Sequence, residues 1–279
     1  MDGETAADRR ARPAVTDTVH YALGIVSGGL VGFVLGLIGG GGSILAVPLM
    51  VYLVGVPNVH VAIGTSALAV GANAAAGLAS HARAGHVKWR CGGIWAVAGI
   101  VGALGGSTFG KMIDGNKLMF LFALVMLSVA ALMLKGRGYP GNSGAECNRE
   151  NAPKVAAYGL GSGVFSGFFG VGGGFLIVPG LVASTGMPIL TAVGTSLVAV
   201  TAFGLTTAGS YAFSHLVDWP LALVFILGGI GGSTGGTRLA DRLGGASGQL
   251  TIVFAALIFI VALHMLWKSA AALLPGLTI

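Results

Sequence analysis

The sequence predicts an all-α polytopic membrane protein made of two homologous, inverted repeats. Each repeat is expected to hold about four membrane-spanning helices plus a glycine-broken half-helix. Three observations lead there. Of the 279 residues, 54% are hydrophobic and 9% charged, with a mean hydropathy of +0.88, whereas a soluble domain is about a quarter charged. Apolar runs of roughly 20 residues, the length that crosses a bilayer, recur along the chain. A glycine-rich phrase also occurs twice at matching places: Gly39-Gly40-Gly41-Gly42-Ser43 with Pro48, and Gly170-Val171-Gly172-Gly173-Gly174 with Pro179.

In order, residues 1–17 form a polar tail carrying Arg9, Arg10 and Arg12 among four acids. No small-residue cleavage site follows the twin arginines, so the tail reads as the flank of a first membrane helix. The first repeat, 18–134, holds apolar segments at about 18–38, 44–56, 59–80, 91–110 and 118–134. A polar linker occupies 135–154. The second repeat, 155–267, holds segments at about 155–170, 175–185, 189–214, 219–237 and 250–267, and 268–279 is a C-terminal tail. The segments at 44–56 and 175–185 are too short to span, and each follows a glycine cluster and carries a proline. They read as half-helices of broken segments.

The halves align at an offset of 130 (194 − 64): Gly64-Thr65-Ser66 matches Gly194-Thr195-Ser196, and Trp89 matches Trp219. The glycine phrases align at 131 (179 − 48). The loop after Ser80 carries Arg83, Lys88 and Arg90, while its counterpart before Trp219 carries Asp218. Positive residues favour the cytoplasmic side, so the two loops are expected on opposite sides, with the linker inside and both termini outside; five elements per half give that inversion, whereas four would give parallel repeats.

Paired glycine-interrupted segments point to a transporter's binding site. Unwound backbone there would aim N–H donors at an anion near the midplane, giving Gly40, Gly41, Gly42, Ser43, Gly172, Gly173 and Gly174 as candidates. Regularly spaced glycines such as Gly28, Gly32, Gly36 and Gly102, Gly106, Gly110 are explained by close helix packing. The hydroxyls of Thr65, Ser66, Thr195 and Ser196 either donate to the anion or bond to their own backbone. Asn73, mid-segment, either bonds across helices or faces the pathway. His81 and Arg83 are candidates for steering or gating, beside the orientation signal of Lys88 and Arg90. His215 and His264 are possible proton carriers or simply interfacial.

All nine acids lie in the tail, the linker or at segment ends: 2, 4, 8, 17, 114, 146, 150, 218 and 241. A cation in the membrane would lack a counter-charge, whereas backbone dipoles and hydroxyls suffice for an anion. The net charge of +6 comes from segment ends. Without a basic stripe interleaved with aromatics, no nucleic-acid partner is expected. Cys91 and Cys147 have no metal-ligand spacing and are expected as free thiols. Gly231-Gly232-Ser233-Thr234-Gly235 fits G-x-S-x-G, but within an apolar glycine-rich segment rather than a strand–turn–helix. No enzyme activity, metal or cofactor is expected.

The doubled unit of glycine run, Val-Pro, Gly-Thr-Ser and Val-x-Trp resembles the TauE/SafE family, also called TSUP, over about 18–267. That resemblance implies a permease, with export favoured, in the inner membrane of a bacterium or archaeon. Its substrate would be a small sulfur-containing anion such as sulfite, thiosulfate, sulfoacetate or a related organosulfonate. The expected partners are that anion and the bilayer, with a homodimer possible. The mechanism expected is alternating access, one repeat moving against the other. Alternatives are an anion-selective channel or a non-transporting anion receptor.

Overall fold

The computed structural model describes residues 14–135, 147–243 and 247–273. Most of the tail 1–17, much of the linker and the last residues of the C-terminal tail lie outside the described residues. Within them the secondary structure is helical, with no strand. Backbone groups in a bilayer have no water to bond, so a spanning chain satisfies them inside each helix.

Eight long helices are present among the described residues: α1 (Ala14–Ile38), α3 (Val59–Arg83), α4 (Trp89–Met112) and α5 (Gly115–Lys135) in the first half, and α6 (Ala152–Phe169), α8 (Ile189–Ala212), α9 (Trp219–Leu243) and α10 (Ser247–Leu273) in the second. Five stretches are long and apolar enough to cross a bilayer by themselves: Val19–Leu37, Val59–Arg83, Trp89–Met112, Ile189–Ala212 and Trp219–Leu239. At 18 residues α6 reaches only about 27 Å.

The first broken segment is a 3-10 turn, Gly39–Leu45, one α-turn, α2 (Ala46–Pro48), and a π-turn, Leu49–Val54. It stops at Gly55, which caps it at φ +83°. The second is α7 (Gly174–Thr185), entered through Gly170, Gly172 and Gly173 at φ +69°, +68° and +66°. An L side chain would be strained at those left-handed positions.

The spaced glycines act as packing surfaces. Gly28, Gly32 and Gly36 of α1 lie against the backbone of Phe225, Gly229 and Ser233 of α9. Gly159, Gly163 and Gly167 of α6 lie against Trp95, Gly99 and Ala103 of α4. A Cβ at Gly32 would land on the Gly229 carbonyl, and one at Gly163 on the Gly99 carbonyl. These are small-residue crossings in which backbone meets backbone. The second set is the first moved by 130 or 131 residues. Ser233, the centre of the G-x-S-x-G phrase, lies in one of these crossings.

The contact order fixes helix directions. Residue numbers rise together in α1/α9 and in α4/α6, so each pair is parallel. Between α3 and α8 they run oppositely: Gly64 meets Tyr211, Gly71 meets Gly204, and Gly77 meets Leu197. Thr65 bonds at Asp218 and Asn73 touches Gly229, so α3 and α9 are parallel. Thus α1, α3 and α9 run one way and α4, α6 and α8 the other. Because α1 and α3 share a direction, segment 39–54 carries the chain back between them. Segment 170–185 does the same between α6 and α8.

One expectation is corrected. Cys91, in the first turn of α4, and Cys147, ahead of α6, form a disulfide with Cα atoms 5.4 Å apart. Their sequence separation of 56 hides this. The parallel α4/α6 pairing starts both helices at the same end of the bundle and brings the sulfurs together. Arg83, Lys88 and Arg90 belong to that end too, as α3 finishes and α4 begins there.

Candidate functional site

Both glycine turns lie inside the bundle. Gly36 packs at Ser233, and α1 ends two residues later, whereas α9 continues to Leu243. The turn after α1 therefore sits roughly eight residues, ~12 Å, short of the end of α9. Gly42 folds back onto the Leu35 backbone. By the same reasoning α6 stops short of the end of α4, where Gly167 packs at Ala103. Since α1 and α6 point in opposite directions, the turns enter from opposite ends.

They meet between the middles of α3 and α8. A Cβ at Gly172 would lie 2.9 Å from Val70 Cγ1, 3.1 Å from Val200 Cγ1 and 3.9 Å from Ser43 Cβ. Val70 and Val200 are themselves equivalent, 130 residues apart. Ser43, Ile44, Val70 and Val200 have no exposed surface, and Gly41, Gly42, Gly172, Gly173 and Gly174 are buried with them. Gly40 shares the first turn. The expected grouping of glycine turns is thus brought together, and it is shielded from both ends.

The two turns are not equivalent. In α7 the N–H groups of Leu176 and Ile177 bond to the Gly173 carbonyl. The first N–H groups of the helix, at Gly174 and Phe175, precede any intrahelical acceptor, and the helix begins two residues after Gly172 at the meeting point. In the first half, the 3-10 turn Gly39–Leu45 follows α1 without a break, so it presents no fresh helix start. Val171, standing where the first half has Gly40, marks this difference in the sequence.

The hydroxyls are placed otherwise. The backbone N–H of Asp218 donates to Thr65 Oγ1 at 2.9 Å, and the N–H of Lys88 donates to Thr195 Oγ1 at 3.0 Å. These are one bond repeated by the duplication. Each threonine holds the first turn of a neighbouring helix, α9 or α4. Ser66 donates to the Ile63 carbonyl at 3.1 Å, and Ser196 donates to the Val193 carbonyl at 2.7 Å. In this conformation the serine protons go to their own helices.

Asn73 is fully buried on α3, one helical turn from Val70, and neither atom of its amide has a hydrogen-bond partner. Sequence reasoning named Asn73 but missed Val70, Val200 and Phe203, which are ordinary apolar residues packed at the second glycine turn. It also missed Ser166 and Thr207, whose buried hydroxyls are likewise unpartnered. His81 and Arg83 stand in the last turn of α3, about 16 Å along the helix from Val70. The His81 and His86 rings are 6.1 Å apart there. His264 packs edge-on to Tyr52, 5.5 Å between rings, and His215 lies in the turn before α9. Neither touches the meeting point. A groove of about 550 Å³ between α5, α6 and α7 is lined by Leu121, Leu124, Val164, Phe165 and Leu176. Its walls are apolar, which suits an acyl chain and not an anion.

A sequence model of the family described as sulfite exporter TauE/SafE matches residues 24–265. A "Probable membrane transporter protein" of Xylella fastidiosa (strain 9a5c) is 51% identical over 250 residues, covering 89% of this chain and 96% of the relative. "Probable membrane transporter protein YdhB" of Bacillus subtilis (strain 168) is 27% identical, over 77% and 88% of the two chains. "Probable membrane transporter protein MJ0441" of Methanocaldococcus jannaschii is 26% identical, over 85% and 93%. No solved structure matches.

Proposed function

Because the chain belongs to the sulfite exporter TauE/SafE family, we propose that this multi-pass membrane transporter exports a small sulfur-containing oxyanion such as sulfite. The observation that carries this reading is the meeting of two glycine turns between Val70 and Val200, with the N-terminus of α7 supplying N–H donors. A helix N-terminus is an anion site by its unpaired donors and its dipole. Among the described residues, Asp17, Asp114, Glu150, Asp218 and Asp241 all stand at or within a turn of helix ends, away from the glycine turns.

The repeats are inverted in this reading. Equivalent helices α1/α6, α3/α8 and α4/α9 run oppositely, which for membrane-crossing helices requires a two-fold axis in the membrane plane. The moving bodies are not the sequence halves. Glycine contacts lock α1 to α9 and α4 to α6 across the halves, and the two threonine bonds tie α9 to α3 and α4 to α8. One body is therefore α1, segment 39–54, α3 and α9; the other is α4, α6, α7 and α8. The turns lie on the seam between them, and rocking about the α3/α8 crossing opens the seam to one side at a time. Burial of the seam from both ends favours such a carrier over an open channel.

The membrane is the inner membrane of a bacterium or archaeon. The test is uptake of labelled sulfite, thiosulfate, sulfate and a small organosulfonate into proteoliposomes, with and without a membrane potential and a pH gradient. Saturable flux of a sulfur anion is the expected result. No flux of any anion through folded protein would overturn the reading in favour of a receptor.

A further inference from the structure

The duplication is broken at one pair of positions beside the glycine turns. Asn73 of α3 and Phe203 of α8 are equivalent, as are Gly229 of α9 and Gly99 of α4. A Cβ at Gly229 would fall on the Asn73 amide, and a Cβ at Gly99 would fall on the Phe203 ring. The same niche holds a polar amide in one half and an aromatic ring in the other. Phe203 also lies 3.6 Å from where a Cβ of Gly173 would be. Asn73 lies one helical turn along α3 from Val70, which the Gly172 turn touches, so its niche adjoins the meeting point of the turns.

The Asn73 amide has no exposed surface, and both Nδ2 and Oδ1 lack partners. Leaving a buried polar group unsatisfied forfeits its hydration with nothing in return. The fold leaves two such atoms on one side chain where a phenylalanine is accommodated in the other half. Packing does not call for the amide.

We propose that Asn73 is the specificity-determining group of the transport site and selects a singly protonated oxyanion. This rests on the carrier reading above. Nδ2 donates to an anionic oxygen, and Oδ1 accepts from the hydroxyl of the same molecule. A fully deprotonated oxyanion leaves Oδ1 without a donor and sets lone pairs against it. A sulfonate, which carries no proton near neutral pH, has the same defect. The chosen substrate class is thus a hydrogen-oxyanion of hydrogensulfite type, ahead of organosulfonates.

The experiment uses purified full-length protein in proteoliposomes, with equal pH on both sides and sulfite or methanesulfonate as probe. In the wild type, flux at fixed subsaturating total sulfite should fall about tenfold per pH unit above the anion's second ionisation. Methanesulfonate flux should be at least tenfold lower and flat with pH. Asn73→Leu should erase the preference between the probes. The near-isosteric Asn73→Asp, which replaces the amide donors with a carboxylate, should cut sulfite flux at least a hundredfold near neutral pH while remaining monodisperse. Sulfite flux with an unchanged pH profile in a folded Asn73 variant would overturn the role of Asn73 alone. Equal wild-type flux of both probes would overturn the proposed substrate class. No wild-type flux of either would overturn this proposal together with the sulfite-carrier reading.

Discussion

Thr65 Oγ1 accepts the backbone N–H of Asp218 at 2.9 Å, the bond that fastens the start of α9 to α3. Its counterpart, Thr195 with the N–H of Lys88 at 3.0 Å, fastens α4 to α8. Both bonds cross from one sequence half to the other. They therefore belong to the exchanged helix sets and not to the repeats.

Removing that hydroxyl should read as lost stability. Thr65→Val keeps the shape and leaves the Asp218 N–H unpaired, at a cost of about 1–3 kcal/mol. Thr65→Ser should restore most of it. Thermal denaturation in detergent is expected to show a lowered Tm for Thr65→Val and Thr195→Val, with KM unchanged. A raised KM at unchanged Tm would make these threonines substrate ligands instead.

Gly172 at φ +68° tolerates no side chain cheaply. Gly172→Ala strains the backbone by about 1–2 kcal/mol and presses on Val70, 2.9 Å from the new Cβ. Transport should fall at least tenfold, with the protein still monodisperse. Adding Val70→Ala should recover part of the flux, a coupling that a double-mutant cycle measures.

Cys91 and Cys147 should be unreactive to maleimide in protein purified without reductant, and both should label after reduction and denaturation. The chain-entropy model assigns a bridge over 56 residues about 4 kcal/mol. Double replacement by serine should lower Tm while leaving flux in place, because the bridge lies within one body. Labelling in intact cells also orients the protein. A bridge that persists there puts the α3–α4 loop on the oxidising side, against the basic-residue rule; thiols there put it inside.

A tie across the two bodies should stop transport. Gly77 of α3 faces Leu197 of α8, with 3.5 Å from a Cβ at Gly77 to Leu197 Cδ1. Oxidising a Gly77→Cys/Leu197→Cys variant should abolish flux, and mild reduction should restore it. Undiminished flux in the cross-linked form would rule out motion along the α3/α8 seam.

Much of this was legible in the sequence because glycine spacing and hydropathy are local signals. Most helix ends came within a few residues, while α9 and α10 run six residues past the expected 237 and 267, and the Gly28-Gly32-Gly36 series was readable as packing. The glycine phrases pointed to buried turns, and the offsets of 130 and 131 residues relate the equivalent positions of the halves. What stayed hidden depends on which helices become neighbours. The disulfide follows from α4 lying parallel to α6, which no spacing encodes. The threonine bonds follow from α9 docking on α3. The packing of α4 with α6 and of α9 with α1, across the sequence halves, likewise could not be read from the repeats. The Asn73/Phe203 exchange could have been found by aligning the halves, but its meaning needed Gly229 and Gly99 in place.

The most direct test of the central claim is counterflow. Proteoliposomes loaded with excess unlabelled sulfite are diluted into trace labelled sulfite with no imposed potential. A carrier whose single site faces one side at a time should accumulate label transiently above the external level, and Gly172→Ala should lack the overshoot. Label that rises only to equilibrium, at a rate that does not saturate, would contradict alternating access and identify a channel.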